Sequence, residues 1–269
     1  LMQIVPREYV FIVDISGSMH GFPLDTAKEL LQDLVGGLRA SDSFNIMLFA
    51  GSKQTLAPQS VPATRANIEQ GLEMLRRQSG GGGTELVPAL RAALAMKSDP
   101  DRARTFVVVT DGYVSVERET FELIGKNLSQ ANLFAFGIGS SVNRQLIEGM
   151  ARAGHGEPFV VLSSGDAKQE AERFRKMIAA PVLTHIQARF EGLDAYDIEP
   201  QSVPDVFAQR PIILFGKWRG APKGRLILEG RTATGQFRIE LPVKDAQVSA
   251  KNAALRYLWA RQRVAQLSD

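Results

Sequence analysis

The chain has no cysteine and only three histidines, His20, His155 and His185, which are far apart in the sequence. The absence of cysteine excludes disulfides, thiolate zinc sites and cysteine nucleophiles. None of the histidines lies in a motif that would let it serve as the base for a serine nucleophile, so no catalytic triad is predicted. We therefore do not expect an enzyme.

Long apolar runs and clusters of basic residues are also missing. No apolar stretch reaches the roughly 18 residues that a membrane-spanning helix needs. The 32 lysines and arginines are scattered among 29 acidic residues, which gives a net charge of +3. We expect neither a membrane span within this chain nor a nucleic-acid partner.

The N-terminal residues Leu-Met-Gln-Ile have no signal-peptide layout, and the first of them is not methionine. We therefore expect the chain to be a fragment of a longer protein. Any signal or membrane anchor of that protein would lie outside the fragment.

The first two thirds of the chain alternate short apolar runs with segments of helical periodicity. The runs at residues 9–13, 44–49 and 105–109 are almost continuously hydrophobic, as is typical of strands buried on both faces. Amphipathic segments such as residues 24–38 lie between them. This alternation predicts a doubly wound, mainly parallel α/β sheet with helices on both faces over residues 1–180.

The pattern changes near Pro181. Residues 181–247 carry short alternating segments, separated by turn residues such as Gly220 and the run Pro222-Lys223-Gly224. They predict a small antiparallel β unit. A C-terminal helix is predicted within residues 248–269, from about 248 to 266.

Three loops place polar side chains next to the predicted strand and helix ends. Asp14, Ser16 and Ser18 follow the first strand, Asp111 follows the third apolar run, and Thr84 lies between four consecutive glycines and a helix. In an open parallel sheet, ligands bind beyond the carboxyl ends of the strands. We therefore expect these five side chains to converge at that edge.

The five side chains offer only carboxylate and hydroxyl oxygens. These are the hard ligands that Mg2+ and Mn2+ prefer in an octahedral shell. Ca2+ is a third candidate, although it usually recruits more carboxylates and carbonyls. Asp14, Ser16 and Ser18 are two positions apart, so an extended stretch directs them to the same side. The sequence thus predicts a magnesium-type site.

The Asp14-x-Ser16-x-Ser18 motif, followed in order by Thr84 and Asp111, resembles the metal-ion-dependent adhesion site of von Willebrand factor A domains. The resemblance implies that Ser16, Ser18 and Thr84 contact the metal directly when a ligand is bound. It implies that Asp14 and Asp111 do so directly or through water. An acidic side chain of a partner protein would then complete the octahedral shell.

The resemblance covers about residues 7–180. A finer one, to bacterial relatives of the inter-alpha-trypsin inhibitor heavy chains, rests on residues 6–11 (PREYVF) and 258–261 (LWAR). In that family a von Willebrand A domain follows an N-terminal β domain. This implies that residues 181–247 form a β-sandwich with a neighbouring upstream domain. It also implies an extracytoplasmic location, at the cell surface or in the periplasm.

The function that these residues indicate is metal-dependent protein binding, or adhesion. One alternative is an interaction module inside an intracellular ATPase or chelatase-type assembly. A second is a magnesium-dependent hydrolase, which is less favoured because no phosphate-binding lysine motif is evident. Glu85, beside Thr84, would either tighten metal binding or compete with the partner's carboxylate. His20 is either a surface residue flanking the site or a contact to the ligand.

Overall fold

Parallel strands and helices alternate through the first part of the chain, as the apolar runs predict. The structure, a computed structural model, describes residues 5–99, 101–112, 114–128, 131–178, 181–200, 203, 205–207, 213–232, 234–246 and 249–268. The chain divides into two compact units. We call Pro6–Lys176 the N-terminal unit, and Leu1–Val5 with Met177–Asp269 the C-terminal unit.

The strands of the N-terminal unit form one sheet. Within the described residues they are β1 (Arg7–Asp14), β2 (Ser43–Phe49), β3 (Lys53–Thr55), β4 (Val61–Pro62), β5 (Ala103–Thr110), β6 (Asn132–Ile138) and β7 (His155–Val161). Their order is β3-β2-β1-β5-β6-β7, and β4 also pairs with β2. Strands β1, β2, β5, β6 and β7 pair in parallel, whereas β3 and β4 run antiparallel to β2. The predicted mainly parallel sheet is confirmed, and the two short antiparallel strands are an addition to it.

Helices lie between these strands or, in the case of α6, follow the last of them. They are α1 (Phe22–Gly36), α2 (Arg65–Arg76), α3 (Leu86–Leu94), α4 (Glu117–Asn127), α5 (Arg144–Ala153) and α6 (Ser164–Ile178). A short 3-10 helix, Gly17–Met19, precedes α1. The start of α5 is set by Asn143, whose side-chain oxygen accepts a hydrogen bond of 3.1 Å from the backbone N–H of Leu146. Asparagine is one of the residues favoured at this N-cap position.

The two faces of the sheet are covered by different helices, because successive residues of a strand point to opposite sides. Val10 and Ile12 of β1 belong to one core cluster together with buried residues of α3, α4 and α5. On the other face, Phe134 and Phe136 of β6 pack against Phe174 of α6, with ring centroids 5.0 and 5.6 Å apart. The sheet is therefore doubly wound, as predicted.

The C-terminal unit is mainly antiparallel. Its elements are β8 (Pro181–Glu191), β9 (Asp194–Glu199), β10 (Val206–Phe207), β11 (Phe215–Arg219), β12 (Arg225–Thr232), β13 (Gly235–Pro242) and α7 (Ala254–Ser268). Strands β10, β8, β12 and β13 form one sheet in that order, and β11 pairs with β9. The predicted β unit and C-terminal helix are confirmed. Val248, the predicted start of the helix, lies outside the described residues, and Ala250–Ala253 is a 3-10 turn before α7.

The sheet of the C-terminal unit has one apolar face. Leu226 and Leu228 of β12 stand opposite Leu241 and Ile239 of β13. The alternate residues of the same strands are mostly charged, and Arg238 forms ion pairs with both Glu229 and Glu240. Among the described residues, no helix in either unit is long and apolar enough to cross a bilayer.

Candidate metal centre

Two of the predicted ligands flank the point where the strand order reverses. Strand β1 lies between β2 and β5, so the connections that leave β1 and β5 at the carboxyl edge move apart. Such a switch point opens a crevice in α/β sheets. Asp14 is the last residue of β1 and Asp111 directly follows β5. The β1–β5 pairing, which matches Val13 with Val109, therefore brings the Asp14 and Asp111 loops to the same crevice.

The carboxylate of Asp14 is buried and held by both of its oxygens. The backbone N–H of Ser16 donates to Oδ1 over 2.8 Å, and the hydroxyl of Thr110 donates to Oδ2 over 2.6 Å. Thr110 Oγ1 also accepts a hydrogen bond of 2.9 Å from the N–H of Gly112. Because an N–H can only donate, the proton of the Thr110 hydroxyl is free to serve Asp14. The Asp14 loop and the Asp111 loop are thus joined through the hydroxyl of Thr110.

The two serines of the first loop face each other. Ser16 Oγ and Ser18 Oγ are 3.2 Å apart, and Ser16 is buried whereas Ser18 is exposed. In an octahedral magnesium shell with bonds of 2.0–2.1 Å, adjacent ligand oxygens are about 3 Å apart. The serine pair therefore has the spacing of two neighbouring ligands of a small hard cation.

Backbone hydrogen bonds bring the glycine-rich loop to the first loop. The N–H of Gly17 donates to the carbonyl of Gly82 over 3.1 Å, and the N–H of Gly81 donates to the carbonyl of Ile15 over 3.0 Å. Gly82 has a φ of +85°, a conformation that glycine adopts without strain. Thr84, two residues later, is half-buried at the same edge of the sheet.

Two side chains hold the start of the glycine-rich loop. His20 Nδ1 lies 2.8 Å from the carbonyl oxygen of Ser79, and Lys28 Nζ donates to the carbonyl of Gln78 over 2.7 Å. His20 is exposed and flanks the site by holding this loop. Glu85 is also exposed, and its side chain makes no capping hydrogen bond to α3.

The electrostatics of the site disfavour two negative charges without a cation. Burial raises the pKa of Asp14 above its usual range. Hydrogen bonds from Ser16 and Thr110 lower that pKa but do not cancel the effect of burial, and the charge of Asp111 raises it further. Within the described ranges, no three His, Asp or Glu side chains are grouped as a metal site would need. A cation here would therefore depend on hydroxyl ligands as well as the two carboxylates.

The raised pKa of Asp14 predicts a pH-dependent stability in the presence of chelator. Between the ordinary and the raised pKa, the folded state holds a proton that the unfolded state releases. The stability that protonated Asp14 contributes to the fold is therefore complete below the ordinary pKa of about 4 and is lost as the pH rises through the raised value. We expect Asp14→Asn to flatten the decline in melting temperature above pH 4, measured by thermal melts in EDTA. Glu85→Gln, at an exposed acid nearby, is the control and should keep the wild-type slope. Equal slopes in wild type and Asp14→Asn would contradict the assignment.

A family model for the von Willebrand factor type A domain matches residues 7–158, more than half of the chain. The chain belongs to the von Willebrand factor A family. Domains of this type are general protein-interaction modules. The matched span runs from the first residue of β1 to within β7, so it contains all three loops of the candidate metal centre.

Curated relatives extend the similarity beyond the von Willebrand A domain itself. A von Willebrand factor A domain-containing protein of Dictyostelium discoideum is 26% identical over 93% of this chain and 27% of its own length. Inter-alpha-trypsin inhibitor heavy chain H3 of Bos taurus is 25% identical over 100% of this chain and 33% of its own length. The chain thus spans about a quarter to a third of these relatives. Neither is named for an enzymatic activity.

Solved structures share the fold. A von Willebrand factor type A protein from Catenulispora acidiphila superposes with a TM-score of 0.68 at 14% identity, covering 93% of this chain and 70% of that one. Proximal thread matrix protein 1 from the mussel byssus, with a zinc-occupied metal-ion-dependent adhesion motif, gives a TM-score of 0.54 at 16% identity, covering 70% and 50%.

Two residues of this von Willebrand A domain support the site without having been predicted to do so. Thr110 holds Asp14, and Lys28 holds the glycine-rich loop. A signal for Thr110 existed, because a hydroxyl at the buried end of a strand needs a hydrogen-bond partner. Lys28 carries no such signal, since a lysine on an amphipathic helix usually faces solvent.

Proposed function

We propose that this von Willebrand A domain binds another protein through a divalent cation. The observation that carries the proposal is the meeting of three sequence-distant loops at the switch point of the sheet. Hydrogen bonds join the first loop to each of the other two. The proposed ligands are the side chains of Asp14, Ser16, Ser18, Thr84 and Asp111.

The ion that fits this ligand set best is Mg2+ or Mn2+, with Ca2+ as a further candidate. The support is the purely oxygen-bearing ligand set and the 3.2 Å spacing of the two serine hydroxyls. Zinc occupies the corresponding motif in the mussel protein, but the present ligand set has no histidine or cysteine, which zinc prefers. When bound, the ion supplies a Lewis-acidic position that a partner's carboxylate can occupy.

The ligand set has few formal charges, which bears on the partner. Two carboxylates only balance the charge of a divalent ion, and the three neutral hydroxyls add no negative charge. An acidic side chain of a partner is therefore attracted to the ion rather than repelled. The proposed partner is a protein that presents such a side chain, and the proposed location is extracytoplasmic. Neither the ATPase-type assembly nor the hydrolase has an observation in its favour.

The direct test is capture of surface proteins by the immobilised full chain, with Mg2+ or with EDTA. We expect a protein to be retained only with Mg2+, and only by wild type. Asp111→Ala should not retain this protein, even with Mg2+. A captured protein whose binding disappears when one of its acids is changed to the amide would identify the ligand carboxylate. Equal capture in all conditions would refute the proposal.

Thr110 offers a separate test, because it touches a proposed ligand and is not one itself. Thr110→Val keeps the shape of the side chain and removes the hydrogen bond to Asp14. We expect about 10-fold to 100-fold weaker Mn2+ binding, the usual effect of losing a partner that orients a metal ligand. Thr110→Ser keeps the hydroxyl and should restore most of the affinity. Calorimetric titration of the three proteins measures this, and equal affinity in Thr110→Val and wild type would contradict the role.

A further inference from the structure

Exposed large apolar side chains in the N-terminal unit concentrate at one edge. Among its described residues they are Phe22, 46% exposed, and Leu162, 50% exposed. Single exposed apolar residues scattered over a surface are ordinary. These two are not scattered, because both lie at the carboxyl edge of the sheet. Phe22 begins α1 four residues after Ser18, and Leu162 directly follows β7.

Contacts along this edge connect the two positions to each other. Pro23, the neighbour of Phe22, lies against Gly139, where an added Cβ would be 3.7 Å from the proline ring. Gly139 follows β6, and its N–H donates to the carbonyl of Val161, the neighbour of Leu162, over 2.9 Å. The start of α1 and the ends of β6 and β7 are therefore adjacent. We call Phe22, Pro23 and Leu162 the apolar flank of the candidate metal centre.

The opposite flank, on the side of β2, is polar. Lys53 of β3 is exposed, and so is Glu85, whose backbone N–H donates to the carbonyl of Ala50 beyond β2. A protein segment that brings a carboxylate to the crevice therefore meets apolar surface on one side and charged side chains on the other.

We infer that the partner segment carries, close to its metal-directed acid, a large apolar side chain that packs on Phe22. This inference rests on the proposed function, because the metal-bound carboxylate is the anchor that brings the apolar side chain to the flank. The acid would make binding depend on the metal, and the apolar side chain would set which acids are accepted. Burial of one large apolar side chain is worth about a 10-fold gain in affinity.

The test uses immobilised synthetic peptides as the probe. Each peptide has a central aspartate or glutamate, or the matching amide, and neighbouring positions that carry either serine or one of leucine, isoleucine and phenylalanine. Labelled full chain is applied in Mg2+ or in EDTA. With Mg2+ we expect about 10-fold more signal from acidic peptides with an apolar neighbour than from those with serine. Amide peptides and EDTA should give background.

Variants then assign the preference to the apolar flank. Phe22→Ser should bind acidic peptides with apolar and serine neighbours equally, while metal dependence is retained. Leu162→Ser is a second variant on the same flank, and a reduced apolar preference in it would support the inference. Val264→Ser, at a 58% exposed apolar residue of α7, is the matched control and should keep the full preference.

The possible failures are distinguishable. Metal-dependent binding of acidic peptides without any preference for apolar neighbours would overturn this inference and leave the proposed function standing. A preference that survives in Phe22→Ser and Leu162→Ser would also overturn it. Binding that ignores both the acid and the metal would refute the proposed function, and the inference with it.

Discussion

Asp111→Ala is expected to weaken Mn2+ and Mg2+ binding by at least about 100-fold. Asp14 and Asp111 are the only charged members of the proposed ligand set, so this change removes half of its formal charge. The charge count of the ligands is a main determinant of affinity at oxygen-ligated cation sites. The loss corresponds to about 2.7 kcal/mol of binding free energy. Calorimetric titration of both proteins with each ion measures it.

The matched control is Glu85→Gln. Glu85 is the exposed neighbour of Thr84 and adds a negative charge close to the site without belonging to the proposed ligand set. Neutralising an exposed charge should change the affinity by no more than about threefold, because solvent screens it. If Glu85→Gln loses as much affinity as Asp111→Ala, the proposed ligand set is wrong. Comparable thermal stability of the three proteins in EDTA would show that their folds are intact.

Arg104→Ala is expected to lower the free energy of unfolding by about 3–5 kcal/mol. Arg104 of β5 stands opposite Glu8 of β1 in the sheet, and both side chains are buried. Two hydrogen bonds of 2.8 and 2.9 Å join the guanidinium to the carboxylate. The carboxylate also accepts a hydrogen bond of 2.6 Å from the hydroxyl of Ser60. Without the arginine, the carboxylate of Glu8 stays buried with no counter-charge. Removing one partner of a buried ion pair in this way strongly destabilises the folded state.

Urea denaturation measures this prediction, and two further variants sharpen it. Arg118→Ala breaks an exposed pair with Glu122 on α4 and should leave the urea midpoint close to that of wild type, because solvent screens such a pair. The double variant Glu8→Leu/Arg104→Met removes both charges and should recover most of the loss. Glu8 lies near the opposite end of β1 from Asp14, so metal affinity should stay unchanged in folded Arg104→Ala. A loss below 1 kcal/mol in Arg104→Ala would contradict the argument.

The sheet was predictable from the sequence because strands that are buried on both faces have almost continuously apolar sequences. Every residue of β1, β2, β5 and β6 is buried, and their cores read as continuous apolar runs. Strands β3 and β4 have no such apolar run, since β3 is exposed along its whole length and β4 has two residues. Helix α4 begins at Glu117, before its first apolar residue, Phe121, because its first turn is polar. Helical periodicity detects only the turns that bury side chains.

The membership of the candidate site stays a prediction, whereas the structure shows that hydrogen bonds join its loops. The five proposed ligands could be named because strand ends and a known motif coincide at Asp14 and Asp111. The meeting of their loops depends on hydrogen bonds between segments far apart in the chain, such as Gly17 with Gly82. No local pattern encodes those bonds. The role of Thr110 was missed because the hydroxyl acts on Asp14, which is 96 positions away.

Main-chain hydrogen bonds join the Asp14–Ser18 loop directly to the glycine-rich loop, at Gly17 with Gly82 and at Ile15 with Gly81. These backbone hydrogen bonds do not depend on the neighbouring side chains of Ser16, Ser18 and Thr84. Ser16, Ser18 or Thr84 can be exchanged during evolution while the loops keep their places. The loops therefore present the same backbone surface to a binding target whether or not these side chains hold an ion. Selection on recognition is in this way separated from selection on folding.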